Sequence, residues 1–310
     1  MRDAPTPARR PVEDRPVRIV SARPSLGRRF QAIWHSRELL SYFVVTDIKI
    51  KYKSSALGLL WSLIAPAMTL GIYFVVFGII LGNRMPDFAI FLFSGLVVWN
   101  FFAAIVSAST GIIVDRAAVV KKVAFPREIL ALSIVGTSLI IFMMQAIVLL
   151  LFMLIVRHAP DWGLIWLLPI ALLAIALIAG ALGIFLSAVN VYLRDTKHLI
   201  EVVLQLWFFL TPIIYSFEQQ LSLKLHAHGL VWLYLMNPVA PIVMTFQRVI
   251  YARQVVTIAG PPRQLLKTLP TWPVTTYLAM DLALVGLGLL ALVFAVFVFG
   301  RLEGNFAEEL

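Results

Sequence analysis

The sequence contains no cysteine, which removes disulfide frameworks, thiolate metal sites and cysteine nucleophiles. It is also poor in charge. Only 14% of its 310 residues are Asp, Glu, Lys or Arg, and these cluster, leaving long uncharged stretches. Glycine is never followed by lysine, so there is no G-x-x-x-x-G-K-[ST] loop to cradle a phosphate. H-E-x-x-H and Gly-x-Ser-x-Gly are missing too, and the five histidines show no ligand spacing. His226 and His228 stand two apart in a loop, where solvated side chains are the ordinary reading and a weak metal site the alternative. A membrane enzyme acting on lipid carriers needs converging acids, bases or a metal, and no such set is legible.

What the sequence has in abundance is apolar surface. It is 61% hydrophobic with a mean hydropathy of +0.91, where a soluble domain sits nearer half apolar. Uncharged runs of this length have one stable home, a bilayer crossed by helices that satisfy their own backbone polar groups. The net charge of +10 invites a nucleic-acid reading. The basic residues concentrate near the amino terminus, however, where orientation bias and anionic lipid explain them, and no nucleic-acid motif accompanies them.

Residues 1–28 carry Pro5, Pro7, Pro11, Pro16 and Pro24 among arginines, a composition expected to stay disordered. They contain no apolar core of a cleavable signal, so the first membrane helix is expected to direct insertion. Residues 29–56 place Leu39, Phe43 and Ile50 at near-helical spacing with Arg37, Lys49, Lys51 and Lys53 between or beyond them, which predicts an amphipathic interface helix. Residues 57–300 hold six uncharged spans, at about 57–81, 88–114, 129–156, 163–190, 200–217 and 274–299, and a short tail, 301–310, follows. The expected fold is an all-α integral membrane protein of six transmembrane helices. Between the fifth and sixth spans, LYLMNPVAPIV (233–243) and the pair Pro261 and Pro262 fit re-entrant or short helices, or else an ordinary extracytoplasmic loop. Asp281 lies well inside the last span, near its outer end, either solvated or facing a pore. Twelve of the 26 Lys and Arg residues precede residue 57 and four more lie in the turn 115–128. This bias predicts a cytoplasmic amino terminus, and six spans return the carboxyl terminus to the same side.

Three stretches together resemble the ABC-2 type permease family, in particular its polysaccharide-exporting branch, which includes the O-antigen and wall teichoic acid permeases. They are RELLSYFVVTDIKIKYKSSALGLLWSLIAP (37–66), VVKKVAFPREIL (119–130), and VYLRDTKHLIEVVLQLWFFLTPIIYS (191–216) followed by MNPVAP (236–241). The resemblance covers about residues 30–300. It implies a homodimer in the cytoplasmic (inner) membrane, two copies of a separate ATPase that carries the ATP and magnesium, a lipid-linked glycan as cargo, and no cofactor on this chain. The missing phosphate loop agrees independently with ATP hydrolysis on a partner chain. An exporter of small hydrophobic drugs or lipids shares the gross topology and is the alternative.

Roles follow for particular residues. The resemblance suggests that the turn holding Arg116, Lys121, Lys122, Phe125, Pro126 and Arg127 docks on the ATPase. Pro126 should end one helix there and begin the next. Arg194 and Asp195 mark a second turn, expected to form salt bridges at a cytoplasmic gate. Lys49, Lys51 and Lys53 suit the pyrophosphate of a polyprenyl carrier, or simple positive-inside anchoring. Tyr73, Phe77, Trp99, Phe102, the run Trp207, Phe208 and Phe209, and Tyr215 are candidates to line a glycan channel, since aromatic faces meet sugar C–H groups without holding the chain fast. An interfacial aromatic belt or lipid-facing packing is the alternative for each.

Overall fold

The computed structural model describes residues 26–53, 57, 60–80, 85–123, 125–218, 231–258 and 264–310. Most of the proline-rich tail, and also Arg84, His226, His228, Pro261 and Pro262, lie outside the described residues. Among these residues, four helices are long and apolar enough to cross a membrane. They are α4 (Phe88–Asp115), α6 (Glu128–Ile155), α7 (Leu167–Tyr192) and α11 (Val274–Leu302). Before and between them lie α1 (Leu26–His35), α2 (Arg37–Tyr52), α3 (Trp61–Tyr73), α5 (Ala117–Lys122), α8 (Thr196–Phe209), α9 (Val231–Leu235) and α10 (Val239–Ile250). A last short turn, α12 (Phe306–Glu309), closes the chain.

The expected first and fifth spans are the two that come out short. The first is α3, with Pro66 inside it, continued by a seven-residue π-helical stretch, Phe74–Ile80. The fifth is α8, whose 14 residues cover roughly 21 Å, against a hydrocarbon core of about 30 Å. The expected interface helix is two helices joined at Ser36, and its first turn takes in Leu26, Gly27 and Arg28 from the predicted tail. Phe43 is buried as its spacing requires, whereas Ile50 is exposed. Every long element is helical. A short antiparallel pair, β1 (Val255–Ile258) and β2 (Gln264–Lys267), is added between α10 and α11, with Val256 opposite Leu266. The β-branched run Val255-Val256-Thr257-Ile258 favours that pleated state.

Helix α4 is the centre of the bundle: 83% of its most apolar window is buried, against 28% for α6 and 22% for α11. A helix apolar on all sides belongs in such a position. Its hydroxyls are satisfied within helices, Ser94 bonding the Phe91 carbonyl at 2.7 Å and Thr110 that of Val106 at 2.7 Å. Helix α7 lies between α4 and α11, and small residues set how close it comes. A Cβ on Gly183 would stand 2.7 Å from Ser109 Cβ, and one on Gly288 would stand 2.7 Å from Leu177 Cβ. Close backbone approach at small residues is the usual means of joining helices in a membrane.

The two ends of the bundle are closed differently. At the near end, where α1 meets the segment after α11, Phe43, Ile113, Val120, Ile129, Phe299 and Phe306 share one apolar cluster. At the far end, Asp87, before α4, binds Nδ1 of His158 at 3.0 Å and Arg253 at 2.6 Å. His158 Nε2 lies 3.1 Å from the Tyr251 carbonyl, and its ring stacks on Tyr251. Three left-handed non-glycine residues, Asp87 (φ 52°), Arg157 (φ 56°) and Ala252 (φ 59°), belong to the segments that meet in this knot. Each costs about 1 kcal/mol or more, which the hydrogen bonds of the knot help to offset.

Candidate functional site

The turn between the first and second long helices, α4 and α6, is built as its sequence suggests. Helix α5 ends at Lys122, α6 begins at Glu128, and Pro126 lies between. The basic residues of this turn divide into two sets. Arg116 forms an ion pair with Asp47 of α2 and lies 5.2 Å above the Phe43 ring. Phe43 in turn packs on Phe125, with centroids 5.9 Å apart. Arg127 donates to the Glu303 carbonyl at 3.1 Å, faces the Glu303 carboxylate at 3.8 Å and covers the Phe306 ring. Both arginines are therefore engaged within the chain. Lys121 and Lys122 are exposed, have no acidic partner among the described residues, and stand beside exposed Val123. An exposed apolar side chain flanked by two cations is a surface suited to an acidic partner.

The sequence did not point to four groups at this end, Arg29, Glu128, Glu303 and Asp47. Arg29 of α1 is buried and forms ion pairs with Glu128 and, at 2.7 Å, Glu303. Burial by itself would lower its pKa; hydrogen bonding and attraction from Glu303 and Glu128 outweigh that, and the net shift is upward. Asp47 keeps one carboxylate oxygen buried without a partner. The available signal was positional: Glu128 and Glu303 stand at the first residue of a span and just after the last one.

The second turn places Arg194 and Asp195 on the surface. Arg194 donates to the Glu309 carbonyl at 3.2 Å, and among the described residues neither it nor Asp195 forms a salt bridge within the chain. The ion pair of this turn is instead Lys197 with Asp115, at 3.6 Å. Lys49, Lys51 and Lys53 are all exposed and without acidic partners among the described residues.

The aromatic residues fall into separate groups. Trp99, Phe102, Trp207 and Phe208 form one seam between α4 and α8: Trp99 meets Phe208 at 5.6 Å, and Phe102 meets Trp207 at 5.1 Å. Phe102 is enclosed on every side and Trp99 nearly so, so both face the core of this chain. The outward face of the seam is Phe209, 62% exposed. Tyr215 bonds the Phe209 carbonyl and Tyr234. Tyr73 and Phe77 pack toward Phe88 at the far end, away from the seam.

Asn237 explains how the broken fifth span is tolerated. Its amide accepts from Trp207 Nε1 at 2.9 Å and from the Val239 N–H at 3.0 Å, and donates to Thr211 and to the Leu210 carbonyl. Gln247, buried in α10, donates to the Pro212 carbonyl at 3.0 Å. Non-helical backbone at membrane depth requires such partners. Asp281, the acid within the last span, is fully buried and takes a 3.2 Å bond from Thr245. It is thus packed against α10, and neither solvated nor open to a cavity of this chain. Among the described residues no three His, Cys, Asp or Glu side chains group to hold a metal.

A bundle with four helices long and apolar enough to cross a membrane, and shorter apolar helices packed beside them, defines a multi-pass membrane protein. The family model described as ABC-2 type transporter matches residues 38–251, and the chain belongs to that family. It is 30% identical over 229 residues to the O-antigen export system permease protein RfbA of Myxococcus xanthus, covering 72% of this chain and 84% of that protein. It is 27% identical over 210 residues to a protein of the same name from Klebsiella pneumoniae, covering 68% and 79%.

Proposed function

We propose that this chain is the permease subunit of an ABC exporter that carries a lipid-linked polysaccharide, of the O-antigen kind, across the inner membrane. The observation that carries the reading is its similarity, over most of both chains, to a permease named for O-antigen export. Two copies would form the channel, each served by a separate ATPase subunit that supplies ATP and magnesium, since no phosphate-binding loop exists in this sequence.

In this reading the near end faces the cytoplasm, as the bias of basic residues favours, and α1 and α2 lie along the membrane surface. Lys121, Lys122 and Val123 dock on the ATPase, while Arg116 and Arg127 hold the docking turn in place from within. The exposed Lys49, Lys51 and Lys53 meet the carrier pyrophosphate. Helices α3 and α8 carry exposed apolar stripes at helical spacing, Met68, Ile72, Val75 and Ile79 on one, Leu199, Val202, Leu206 and Phe209 on the other. These stripes line the second copy and the glycan path. The test is depletion of the chain in its host, with lipid-linked glycan measured in intact and opened cells. Long glycan that accumulates on its carrier and is reachable only after opening is the expected result. Normal surface glycan with no internal accumulation would refute the proposal.

A further inference from the structure

Arg29 occupies a place that surface anchoring of an amphipathic helix does not require. Its guanidinium is buried, with one nitrogen on Glu128 and the other, at 2.7 Å, on Glu303. Glu128 is 1% exposed and is the first residue of α6, directly after the docking turn. Glu303 follows α11 and is also held by Arg127 of that turn. Three segments far apart in sequence therefore meet at one planar cation: the helix before the interface helix, the docking turn, and the end of the last span.

The backbone has been cleared for this contact. A Cβ on Gly300 would stand 2.7 Å from both Cζ and Nε of Arg29, so the guanidinium lies against the bare face of α11. The segment beyond is tied in turn to the end of α7, through Tyr192 to the Leu302 carbonyl at 2.6 Å and through Arg194 to the Glu309 carbonyl. A forked guanidinium serving two carboxylates fixes their relative position in a way that a lysine ammonium does not. Breaking such a buried pair leaves uncompensated charge, so the knot stays closed as the turn moves.

We infer that Arg29 is a positioning residue for energy coupling, fixing α1 and the end of α11 to the docking turn so that a displacement of Lys121–Arg127 by the ATPase moves the last span as well. This inference rests on the proposed function and concerns the transmission step alone.

The experiment uses the purified permease–ATPase complex in proteoliposomes, with glycan moved per ATP hydrolysed as the readout. Arg29→Gln removes the cation. Gly300→Val leaves every charge in place and displaces the guanidinium. A triple variant, Arg29→Met with Glu128→Gln and Glu303→Gln, removes all three charges together and so leaves no lone buried ion. All three are expected to retain the ATPase at wild-type level and to lose at least tenfold in glycan moved per ATP. Arg29→Lys is expected to fall between them and the wild type. A folded variant lacking the knot but with the wild-type ratio would overturn the inference. So would export that falls only in step with the amount of assembled complex in all three, since the knot would then be structural alone. The wild-type complex separates this from the parent reading: if it neither retains an ATPase nor moves glycan, the proposed function itself is wrong.

Discussion

Reversing the two free cations of the docking turn, with Lys121→Glu and Lys122→Glu together, is the sharpest test of how that turn works. Both side chains are exposed at the end of α5 and touch no acid among the described residues, so the substitution leaves the fold of the permease undisturbed. An exposed ion pair contributes about 0.2–1 kcal/mol, and reversal replaces each attraction with a repulsion of similar size. For two lysines the loss is about 0.8–4 kcal/mol, or roughly 4- to 700-fold in affinity for the ATPase. The contact is at an interface rim, so salt should screen it, the Debye length falling from about 8 Å at physiological ionic strength to about 3 Å at 1 M. The assay is ATPase binding to immobilised permease at two ionic strengths, with thermal unfolding of the permease alone beside it. Arg116→Ala is the contrast: it strips Asp47 and Phe43 of their partner, costs about 2 kcal/mol and lowers the unfolding temperature first. Binding of the double lysine variant within twofold of wild type, or a deficit that high salt leaves untouched, would refute the division of the turn into docking and holding residues.

Phe102→Ala should destabilise the chain by about 3–5 kcal/mol, because the ring is fully enclosed, while Phe209→Ala should change stability by less than about 0.5 kcal/mol and reduce export; chemical unfolding and a surface-glycan assay separate the two. Asn237→Ala strands the Trp207 N–H and the backbone after α8 and should cost about 2 kcal/mol; Asn237→Asp, which keeps the acceptor alone, should cost less in the same unfolding measurement. Gly183→Ala drives a methyl into Ser109 and should cost about 1–3 kcal/mol; adding Ser109→Gly should restore most of it in a double-mutant cycle. Asp87→Asn keeps a side chain that tolerates the left-handed backbone at φ 52°, so its loss of stability should be smaller than that of Asp87→Ala.

Long apolar helices announce themselves by composition, which is why the limits of α4, α6, α7 and α11 fall close to the spans read from the sequence. The break at Pro126 was equally legible, since proline excludes the preceding residue from a helix. The β1–β2 pair was not, because four β-branched or apolar residues beside a proline pair look like any apolar fragment once attention is on helical runs. The charged turn after α4 could be located from sequence but not sorted: Arg116, Lys121, Lys122 and Arg127 are alike as letters. Only the fold reveals that Asp47, some 70 residues earlier, and Glu303, some 180 later, claim the two arginines. The same limit hid Arg29, which in sequence is one more arginine beside a basic tail. The aromatic residues failed differently. Helical spacing correctly put Trp99 and Phe102 on one face of α4, but spacing does not say what that face meets, and here it meets α8.

The packing also separates what is fixed in this transporter from what can move. Helices α4, α7 and α11 interlock through Gly183 and Gly288 at distances that leave no room for sliding, and the Asp87–His158–Arg253 knot ties α4 and α6 to the chain after α10. Such contacts are bistable at best, since close-packed interiors do not deform continuously. Helices α3 and α8 are different in kind. Helix α3 is interrupted by Pro66 and ends in a π-helical stretch, two features that concentrate at bends and functional sites. Helix α8 stops part-way and turns through Thr211 and Pro212, held by side-chain bonds to Asn237 and Gln247. Single hydrogen bonds of this type are worth about 1 kcal/mol each, so the end of α8 is held by a few kcal/mol of polar contacts where α4, α7 and α11 are held by close packing. In the proposed exporter this contrast would give the glycan path a rigid body behind it and, in front, a short helix whose last turn is held by side-chain hydrogen bonds.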